Sequence, residues 1–585
     1  MNEINVRTQT DRQLVIQWLS AFESALTSGS EAALSAVLSD EVHWRDLMAF
    51  TWTITPHDTR GEAISDLIRL QPQVGACHFC LNEDATPPRR VRRHGVDSIE
   101  AFFVFETETA RCSGILRLVA TAPDRAWVIA TRLDELKGHE EPIDARRPAG
   151  SAYSRNFGGD NWSDIRAKVS AFADRDPTVL IVGAGQAGLA IAARLGLLGM
   201  DTLIVDKRAR VGDIWRERYH SLALHNQVKL NHMPYLPWPP NWPKYLPKDM
   251  IAGWLETYSW AMECNVWTNT EFLGGDYDDA KGEWVVRVRK ADGTERIMRP
   301  RHLVMANGIA GRPLRPKLPG LDSFKGKVIH THDYREGARW KGRKVLVVGA
   351  GTSGHDVAQD LHGHGAHVKI IQRGSATVAS VKAAGMVHSV YYDEDLPLEE
   401  CDMIAAASSY PLLVKGYQAA VVKMKEVDKD LLEGLTARGF KLDWGEDETG
   451  HQMKFRRRHG GYYLNCGCSD LVISGEVGLI QHEDTAHFVD NGLLMQDGTV
   501  EEADLIVTAT GYQSQELLVR EMLGNKIADR VGQIWGIAPN GEIANMFVAT
   551  PQAGLWFTGG GFAHCRIYSH YVAMGIKVRE LGLVK

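Results

Sequence analysis

Two glycine-rich turns of the form GxGxxG constrain this chain more than any other feature of its sequence. Each lies between a short run of β-branched residues and a stretch with helical periodicity, and a second apolar run follows. This order is typical of a βαβ unit that binds a dinucleotide, because the glycines allow a tight turn, a close pyrophosphate and close helix–strand packing. The glycines are Gly183, Gly185 and Gly188 in the first turn and Gly349, Gly351 and Gly354 in the second.

The residues that end the second strand of each unit differ in charge. Asp206 ends this strand in the first unit, where a carboxylate suits hydrogen bonding to ribose hydroxyls. Arg373 follows the corresponding strand of the second unit, where a cation suits a 2′-phosphate that an acid would repel. The two units therefore predict two different dinucleotides, FAD at the first and NADPH at the second, with NADH open as an alternative to NADPH.

From about residue 165 the alternation of strands and helices predicts an α/β fold with two Rossmann-like dinucleotide-binding domains. We assign residues 165–335 to the first part of an FAD-binding domain, 336–485 to an inserted NADP-binding domain, and 486–585 to the second part of the FAD-binding domain. In this scheme the run LIVTATGY at 505–512 returns the chain to complete the FAD-binding domain.

Residues 1–142 have a different pattern, in which apolar residues first recur at helical spacing and alternating runs then follow. The alternating runs are 41–54, 99–109, 114–123 and 125–136. Helices followed by a series of strands predict an α+β domain with an antiparallel sheet. Residues 143–164, which are rich in Pro, Gly, Ser and Asn, predict a linker.

Composition excludes several classes of protein. The 585 residues carry a net charge of −7, which gives no reason to expect nucleic-acid binding, and the basic run at 89–94 is interpreted as a solvated face. No stretch is apolar enough for a membrane span and no secretory signal is visible, so a cytoplasmic protein is expected. Eight cysteines suggest no disulfide framework, and we expect no metal site although Cys77 and Cys80 have metal-like spacing.

Several segments after residue 165 resemble the signature sequences of flavin-containing monooxygenases. Residues 324–334, FKGKVIHTHDY, are similar to the FxGxxxHxxxY motif of that family, although ketone-oxygenating relatives usually carry Trp where this chain has Tyr334. Residues 212–215, GDIW, resemble the flavin segment GG-x-W, and residues 509–512 match the ATGY segment. The resemblance covers about residues 165–585. The region 1–142 resembles, more weakly, the cone-shaped SnoaL-like family related to nuclear transport factor 2. Members of that family often have a pocket, and the resemblance implies His43, Arg45 and Asp46 as its candidate polar residues, set against the alternative that they face solvent or a domain contact.

The resemblance implies an FAD- and NADPH-dependent monooxygenase that forms a C4a-(hydro)peroxyflavin and transfers one oxygen atom from dioxygen to a small organic substrate. Tyr334 favours oxygenation at N or S, while ketone oxygenation and a peroxide-releasing NADPH oxidase remain alternatives. The implied catalytic residues are His225, which stands where many members have Asn, with Asn226, His330 and Tyr334. Beyond the glycines, Asp206 and Arg373, the implied cofactor-binding residues are Trp215, Thr510 and Gly511.

Two further functions compete with the monooxygenase. A flavin disulfide reductase requires a CxxC or CxxxxC pair beside the first dinucleotide helix, and residues 189–263 contain none. A non-catalytic binding protein would not need two intact glycine turns. A rigid loop bordering the site is predicted for the aromatic and proline-rich run 233–247, and a symmetric dimer is the expected assembly.

Overall fold

The computed structural model describes residues 2–149, 157–309 and 311–584, with side chains described from residue 10 onward. The N-terminal part has three helices: α1 Asn2–Ser28, α2 Glu31–Val37 and α3 Arg60–Val74. Its strands are β1 Leu38–Leu47, β2 Ile54–His57, β3 Cys77–Leu81, β4 Arg89–Arg93, β5 Val96–Glu106, β6 Ala110–Val119 and β7 Ala122–Leu136. They form one seven-stranded sheet in the order β2-β1-β7-β6-β5-β3, with β4 paired to β5.

The N-terminal elements form where the sequence predicts an α+β domain. The apolar stripe of α1, which includes Trp18, Leu19 and Phe22, is buried, and the Ser30 side chain caps α2 by accepting from the Ala33 N–H. The sheet is mixed rather than purely antiparallel, because β1 pairs in parallel with β7. Helix α3 and the short strand β3 were not predicted, since these segments carry polar residues that obscure their periodicity.

The first glycine turn belongs to a five-stranded parallel sheet. After α4 Trp162–Ala171, the elements are β8 Val179–Val182, α5 Gln186–Leu197, β9 Thr202–Val205, α6 Asp213–Arg216, α7 Lys248–Ala261, β10 Val266–Trp267 and β14 His302–Met305, with β25 Leu555–Phe557 and α17 Phe562–Glu580 at the end of the chain. The strand order is β10-β9-β8-β14-β25. All residues of β8, β9, β14 and β25 are buried, as expected for a sheet covered on both faces.

The second glycine turn belongs to another five-stranded parallel sheet. Its strands are β15 Lys327–His330, β16 Lys344–Val348, β17 His367–Gln372, β20 Gly478–Gln481 and β24 Leu505–Thr508, in the order β15-β24-β16-β17-β20, with α8 Thr352–Gly363 after β16. The prediction that 505–512 completes the FAD-binding domain is therefore wrong, because β24 lies between β15 and β16. The strand that completes the first sheet is β25, and the second sheet extends beyond the predicted limits 336–485 at both ends.

Smaller elements complete the architecture. The remaining strands are β11 Glu271–Asp278, β12 Glu283–Arg289, β13 Glu295–Met298, β18 Thr377–Ser380, β19 Tyr462–Asn465, β21 Thr485–Val489, β22 Gly492–Met495 and β23 Val500–Glu502. The remaining helices are α9 Val381–Ala384, α10 Ser389–Tyr392, α11 Leu398–Ala406, α12 Tyr410–Val427, α13 Lys429–Ala437, α14 Gly450–Arg458, α15 Cys468–Ser474 and α16 Gln515–Val531. Helices α9 to α14 lie between β18 and β19 in the sequence and form a helical region beside the second sheet.

The N-terminal domain contacts the helical region through buried charged groups. Arg93 forms ion pairs with Glu100 of its own domain and with Glu394, which follows α10, and Arg89 contacts the same two carboxylates. The basic run 89–94 is thus not simply a solvated face. Of the predicted linker, residues 150–156 lie outside the described residues, and α4 begins within it at Trp162 behind a capping box formed by Asn161 and Asp164.

None of the helices that the structure describes is both long enough and apolar enough to cross a lipid bilayer.

Candidate functional site

The first glycine turn is shaped by close backbone contacts. Gly183 has φ +109°, and a Cβ atom there would lie 2.7 Å from the Ala306 carbonyl oxygen. A Cβ atom on Gly188 would lie 1.9 Å from the Gly183 carbonyl oxygen, so helix α5 can only approach the turn through glycine. In front of Gly185 the space is open, with the nearest atom 4.0 Å away. Gly185 caps α5 without a side-chain hydrogen bond, so the first N–H groups of the helix are available to an anion.

Asp206 supports this turn from the end of β9. Its carboxylate accepts hydrogen bonds from the backbone N–H groups of Ala184 at 2.7 Å and Arg208 at 2.8 Å. The predicted ribose ligand thus lies beside the glycine turn, and each of its oxygens retains a further lone pair.

Gln186 joins three segments around the first turn. Its amide accepts a hydrogen bond from Trp215 Nε1 at 3.3 Å and donates one to the Gly560 carbonyl at 3.2 Å. Trp215 also stacks on Phe562, the first residue of α17, with ring centroids 5.8 Å apart. Gly561 caps α17 without a side-chain hydrogen bond, so a second uncapped helix N-terminus lies next to α5.

The carboxyl edge of the first sheet carries polar atoms that lack partners. Asn307 Oδ1 and Thr558 Oγ1, which follow β14 and β25, are buried and accept or donate no hydrogen bond within the part of the chain that the structure describes. Ligands of open parallel sheets bind at this edge. The open space at Gly185 and these orphaned atoms fit a dinucleotide such as FAD.

The second glycine turn repeats the geometry of the first. Gly349 has φ +119°, and a Cβ atom on Gly354 would lie 2.1 Å from the Gly349 carbonyl oxygen. Gly351 caps α8 without a side-chain hydrogen bond, and the nearest atom in front of it is the Tyr462 carbonyl oxygen at 3.8 Å. This turn is therefore also open to a pyrophosphate.

Arg373 stands at the carboxyl end of β17 with an exposed side chain. The adjacent Gln372 is buried, and its side-chain amide forms two hydrogen bonds with the backbone of Lys441. The amide oxygen accepts from the Lys441 N–H, and the amide nitrogen donates to the Lys441 carbonyl. Arg373 forms no ion pair or hydrogen bond with any described residue. The exposed guanidinium fits a 2′-phosphate, and its contact with NADPH stays a prediction.

His225 lies where the two dinucleotide domains meet. It belongs to the segment between α6 and α7, and its Nδ1 is 3.2 Å from Cys466 Sγ while its Nε2 is 4.0 Å from Asp356 Oδ2 on α8. Tyr219 donates a hydrogen bond to the same Asp356 carboxylate. Burial raises the pKa of Asp356, and burial raises the pKa of Cys466 to about 11. The backbone carbonyl of Asn226, the next residue, accepts a hydrogen bond from the Asn231 side-chain amide. The catalytic roles implied for His225 and Asn226 remain predictions.

His330 and Tyr334 hold the connection into the second sheet. His330 is fully buried at the end of β15, and its Nδ1 accepts from the His332 N–H at 3.0 Å. Burial lowers the pKa of His330 to about 4, so its ring is neutral, and its Nε2 has no partner among the described residues. The buried Tyr334 donates its hydroxyl hydrogen to Asp360 of α8. Tyr334 therefore has a packing and positioning contact, and chemical roles for both residues remain predictions.

Thr510 and Gly511 follow β24 and contact the link that leaves the first sheet. Thr510 Oγ1 donates to the Leu314 carbonyl at 2.7 Å, and the Gly511 carbonyl accepts from the Leu314 N–H at 2.9 Å. The ATGY segment thus lies at the junction of the two domains. Its predicted cofactor contacts remain a prediction.

A group of aromatic and imidazole rings lies beside the start of α17. This interior aromatic cluster consists of Phe455, His459, Trp535, Phe547, His564 and Tyr568. The centroids of His459 and Trp535 are 4.1 Å apart, and those of Phe547 and Tyr568 are 4.7 Å apart. A Cβ atom on Gly560 would touch both His564 and Trp535 at 3.4 Å, so the cluster adjoins the segment that Gln186 binds.

The histidines of this region are uncharged near neutral pH. Burial lowers the pKa of His459 to about 4, and burial together with Arg456 lowers the pKa of His564 to about 3. The same two causes lower the pKa of His388 to about 4. The imidazole rings of this region therefore carry no charge near neutral pH, whereas the guanidinium groups of Arg45 and Arg456 near Tyr568 do.

The predicted pocket of the N-terminal domain is instead a set of structural contacts. Asp46 is buried and accepts from Thr131 Oγ1 at 2.7 Å and from the Thr51 N–H at 2.8 Å. His43 Nδ1 lies 2.7 Å from Asp58, which also accepts from Ser409 of the helical region. The Arg45 side chain forms an ion pair with Glu542, which lies outside the N-terminal domain. A cleft of about 250 Å³ does lie at this seam, lined among others by Thr53, Thr55, Glu542, Asn545, Phe547 and Tyr568.

All eight cysteines are unpaired thiols. Within residues 2–149, 157–309 and 311–584, no three His, Cys, Asp or Glu side chains are grouped as metal ligands. The aromatic run 233–247 packs against the start of α17, since Trp238 stacks on Trp242 at 5.6 Å and meets Phe562 edge-on at 5.3 Å. That this run borders the active site stays a prediction.

Sequence analysis missed the interior aromatic cluster and Gln186. The members of the cluster come from α14, the segment before β25 and α17, and no local spacing connects them. Gln186 could have been noticed because it follows Gly185 at the exposed turn of the helix.

Residues 177–389 match the family described as pyridine nucleotide-disulphide oxidoreductase. The chain is 30% identical over 342 residues to the indole-3-pyruvate monooxygenase YUCCA1 of Oryza sativa subsp. japonica, covering 58% of this chain and 77% of the relative. It is likewise 30% identical over 343 residues to the probable indole-3-pyruvate monooxygenase YUCCA4 of Arabidopsis thaliana, covering 58% and 76%.

Among solved structures, cyclohexanone monooxygenase from Rhodococcus sp. Phi1 bound to NADP+ superposes with a TM-score of 0.50 at 18% identity, covering 70% of this chain and 85% of that one. This likeness concerns the fold alone. Together with the sequence identity over three quarters of the plant relatives, these observations establish that the chain belongs to the flavin-dependent monooxygenase family, enzymes that use FAD and NADPH to insert oxygen into small organic substrates.

Proposed function

We propose that this monooxygenase transfers one oxygen atom to a small organic carbonyl compound. The observation that carries the proposal is the interior aromatic cluster beside the uncapped N-terminus of α17, whose rings adjoin Gly560 and therefore the segment that Gln186 of the first glycine turn binds. The plant relatives are named for indole-3-pyruvate, a compound with a ketone group beside an aromatic ring system, which supports a carbonyl substrate here.

Each dinucleotide has a defined set of residues that would hold it. Gly183, Gly185 and Gly188 with Asp206 and Trp215 would hold FAD at the first sheet, and Thr510 and Gly511 lie where the domains meet. Gly349, Gly351 and Gly354 with Arg373 would hold NADPH at the second sheet. FAD, when bound and reduced by NADPH, supplies the activation of dioxygen.

The contribution of the chain itself is positioning and exclusion of water. Trp535, Phe547 and Tyr568 are buried and form an apolar surface beside this segment, and exclusion of water there would protect reactive groups from hydrolysis and proton leakage. His225 sits between the domains, where its imidazole can donate a hydrogen bond from one ring nitrogen while the other faces Cys466. Tyr334 fixes α8 relative to β15 through Asp360.

Oxygenation at N or S is a second candidate. It is favoured by Tyr334 at the last position of the FxGxxxHxxxY motif, where ketone-oxygenating relatives usually carry Trp. The contact of Tyr334 with Asp360 weakens this argument, because the hydroxyl supports the helix and not the pocket.

The test uses the full-length protein loaded with FAD, NADPH and ¹⁸O₂. Phenylacetone, N,N-dimethylaniline and thioanisole are supplied one at a time, and mass spectrometry detects the labelled product while a peroxidase assay measures released peroxide. We expect ¹⁸O-labelled product from phenylacetone. We also expect the amount of peroxide released to be smaller than the amount of NADPH consumed. Label only in an N-oxide or sulfoxide would replace the proposal by the second candidate. Peroxide equal to NADPH with every compound would indicate an NADPH oxidase.

We further propose that residues 1–142 are a SnoaL-like domain, that the protein is a homodimer and that it is cytoplasmic. The order of helices and strands around one seven-stranded sheet supports the first point, and eight free thiols support the last. An exposed apolar patch on α4 and α7, where Trp162 meets Trp260 at 5.9 Å, supports a contact between copies. Light scattering of the wild type and of Trp260→Glu, which should be monomeric, tests the dimer.

A further inference from the structure

We propose that the cleft between the N-terminal domain and residues 538–548 is an outer binding site for the substrate, and that it takes uncharged aromatic molecules. The proposal rests on the proposed function in taking the bound molecule to be the substrate that is oxygenated. The cleft has a volume of about 250 Å³. Ligand pockets usually enclose roughly 300–1,000 Å³, so this cleft suits a small molecule with a single ring.

The two walls of the cleft come from distant parts of the chain. The N-terminal domain supplies residues 53–55, around the start of β2, and the opposite wall comes from residues between 538 and 548 and from Tyr568 of α17. The buried ion pair of Arg45 with Glu542 joins the two walls. The site therefore exists only while the N-terminal domain is docked, and that domain contributes directly to the binding of the substrate.

Aromatic rings form the inner side of the cleft. Phe547 and Tyr568 line it, and their rings are stacked with centroids 4.7 Å apart and planes inclined by 20°. The Phe547 ring also lies nearly parallel to that of His564, at 6.3 Å, and His564 adjoins Gly560 in front of α17. A flat molecule in the cleft would thus stack on rings that continue towards the N-terminus of α17.

The backbone of this wall is held in an unfavourable conformation. Asn545 has φ +51° and Phe547 has φ +67°, and both residues line the cleft. The Asn545 amide fixes this segment by donating to the carbonyls of Val531 and Gln533 at 2.7 and 2.8 Å. Left-handed backbone at residues other than glycine is concentrated at sites that bind ligands. Here it carries Phe547, whose ring belongs both to the cleft and to the interior aromatic cluster.

The polar groups of the cleft favour an uncharged ligand. Among the described residues that line it, Glu542 alone carries a charge, and both of its carboxylate oxygens are bound by Arg45. The cleft therefore offers no free cation to a carboxylate and no free carboxylate to an amine, so an ion would lose hydration without compensation. The Thr53 hydroxyl forms no hydrogen bond with any described residue, and it can donate one to a carbonyl oxygen of the ligand.

The test compares an uncharged probe with an anionic probe of nearly the same shape. Phenylacetone and phenylacetate share a benzyl group and a carbonyl, and differ in a methyl group against a charged oxygen. Their dissociation constants are measured by isothermal titration calorimetry on the FAD-loaded full chain, and steady-state kinetics give KM and kcat for phenylacetone. We expect the wild type to bind phenylacetone at least about tenfold more tightly than phenylacetate, because the cleft does not compensate the desolvation of a charge.

Thr53→Phe fills the cleft from the side of the N-terminal domain. It should weaken phenylacetone binding and raise the KM about tenfold or more, while kcat stays within about threefold, since the outer site acts before the chemical step. The matched control is Thr27→Phe, the same substitution at an exposed position of α1, which should alter neither constant. Asn540→Trp fills the cleft from its exposed opposite rim and should act like Thr53→Phe, which preserves the test if Thr53→Phe does not fold.

Unchanged phenylacetone binding in both Thr53→Phe and Asn540→Trp would overturn the outer site, even where ¹⁸O-labelled product shows that the proposed function holds. A lower kcat with an unchanged KM in these variants would also overturn it, because the cleft would then act on the chemical step. Phenylacetate binding as tight as that of phenylacetone would overturn the choice of an uncharged ligand. Phenylacetone binding that both variants abolish, without any oxygenated product from the wild type, would support the binding site while the proposed function fails.

Discussion

Arg45 and Glu542, which are 497 positions apart in the chain, form a bidentate ion pair with N–O distances of 2.8 and 2.6 Å. Their side chains are only 5% and 18% exposed, and Arg45 also donates to the Ala406 carbonyl. Burial opposes the charge of Arg45, but Glu542 raises its pKa above the ordinary value. One residue of the N-terminal domain therefore joins that domain to both the helical region and the segment before β25.

Arg45→Ala should destabilise the protein by about 3 kcal/mol, because it leaves the Glu542 carboxylate and the Ala406 carbonyl without their buried partner. Thermal unfolding measures the change. The control Arg92→Ala removes a pair whose side chains are 66% and 65% exposed and should cost at most about 1 kcal/mol. Similar losses for the two variants would show that the Arg45 pair contributes no more than a surface contact.

Removal of the N-terminal domain should have a larger effect. A chain that begins near Asp160 exposes Tyr568, Ile543 and the His570 side chain, whose Nε2 now donates to the Leu133 carbonyl at 2.7 Å. We expect this chain to aggregate, as measured by light scattering at constant protein concentration. A monodisperse product with unchanged activity would leave the N-terminal domain without a structural role in the enzyme.

Arg373→Ala should raise the KM for NADPH by about tenfold or more, because the exposed guanidinium at the end of β17 is free for the 2′-phosphate. The KM for NADH should stay within about twofold, since NADH lacks that group. Steady-state kinetics with both cofactors supply the comparison, and Arg339→Ala, an exposed change ahead of β16, serves as the control. An equal change for both cofactors would remove Arg373 from the phosphate site.

His225→Ala should leave FAD bound but raise the peroxide released per NADPH consumed severalfold. The reason is that His225 is the imidazole at the junction of the domains, next to Cys466 and Asp356. Flavin absorbance reports cofactor content and a peroxidase assay reports the ratio. Cys466→Ser retains a small polar partner and should change the ratio less; an unchanged ratio in His225→Ala would exclude the role.

Stability should fall as the pH is lowered from about 6.5 towards 3, in part because of His451. Burial, with His388, lowers the pKa of His451 from 6.5 to about 3, so in this window the unfolded state binds more protons than the folded state. The loss for one such group is at most about 1.4 kcal/mol per pH unit. His451→Gln should show a shallower decline of Tm below pH 6.5 than the wild type, whereas parallel curves from pH 8 to pH 4 would contradict the assignment.

Local sequence was sufficient wherever a property depends on neighbouring residues. The spacing of Gly183, Gly185 and Gly188 predicts the first turn, because tight packing of a helix on a strand requires glycine at those positions in any fold of this type. The same holds for the second turn and for the contrast between Asp206 and Arg373. The apolar run at 505–508 predicts a strand for the same reason, since four buried β-branched or leucine residues suit an interior strand.

The partner of that strand was decided by the tertiary structure. A run that is apolar on both faces fits either parallel sheet, so its pattern could not show that β24 pairs with β15 and β16 while β25 completes the first sheet. Likewise, Phe455, Trp535 and His564 are brought together from three separate segments of the chain, and their ring contacts exist only in the folded protein. Sequence determined which local units form, because their hydrogen bonds and turns are local; tertiary packing decided which distant side chains share one pocket, because that depends on the docking of whole elements.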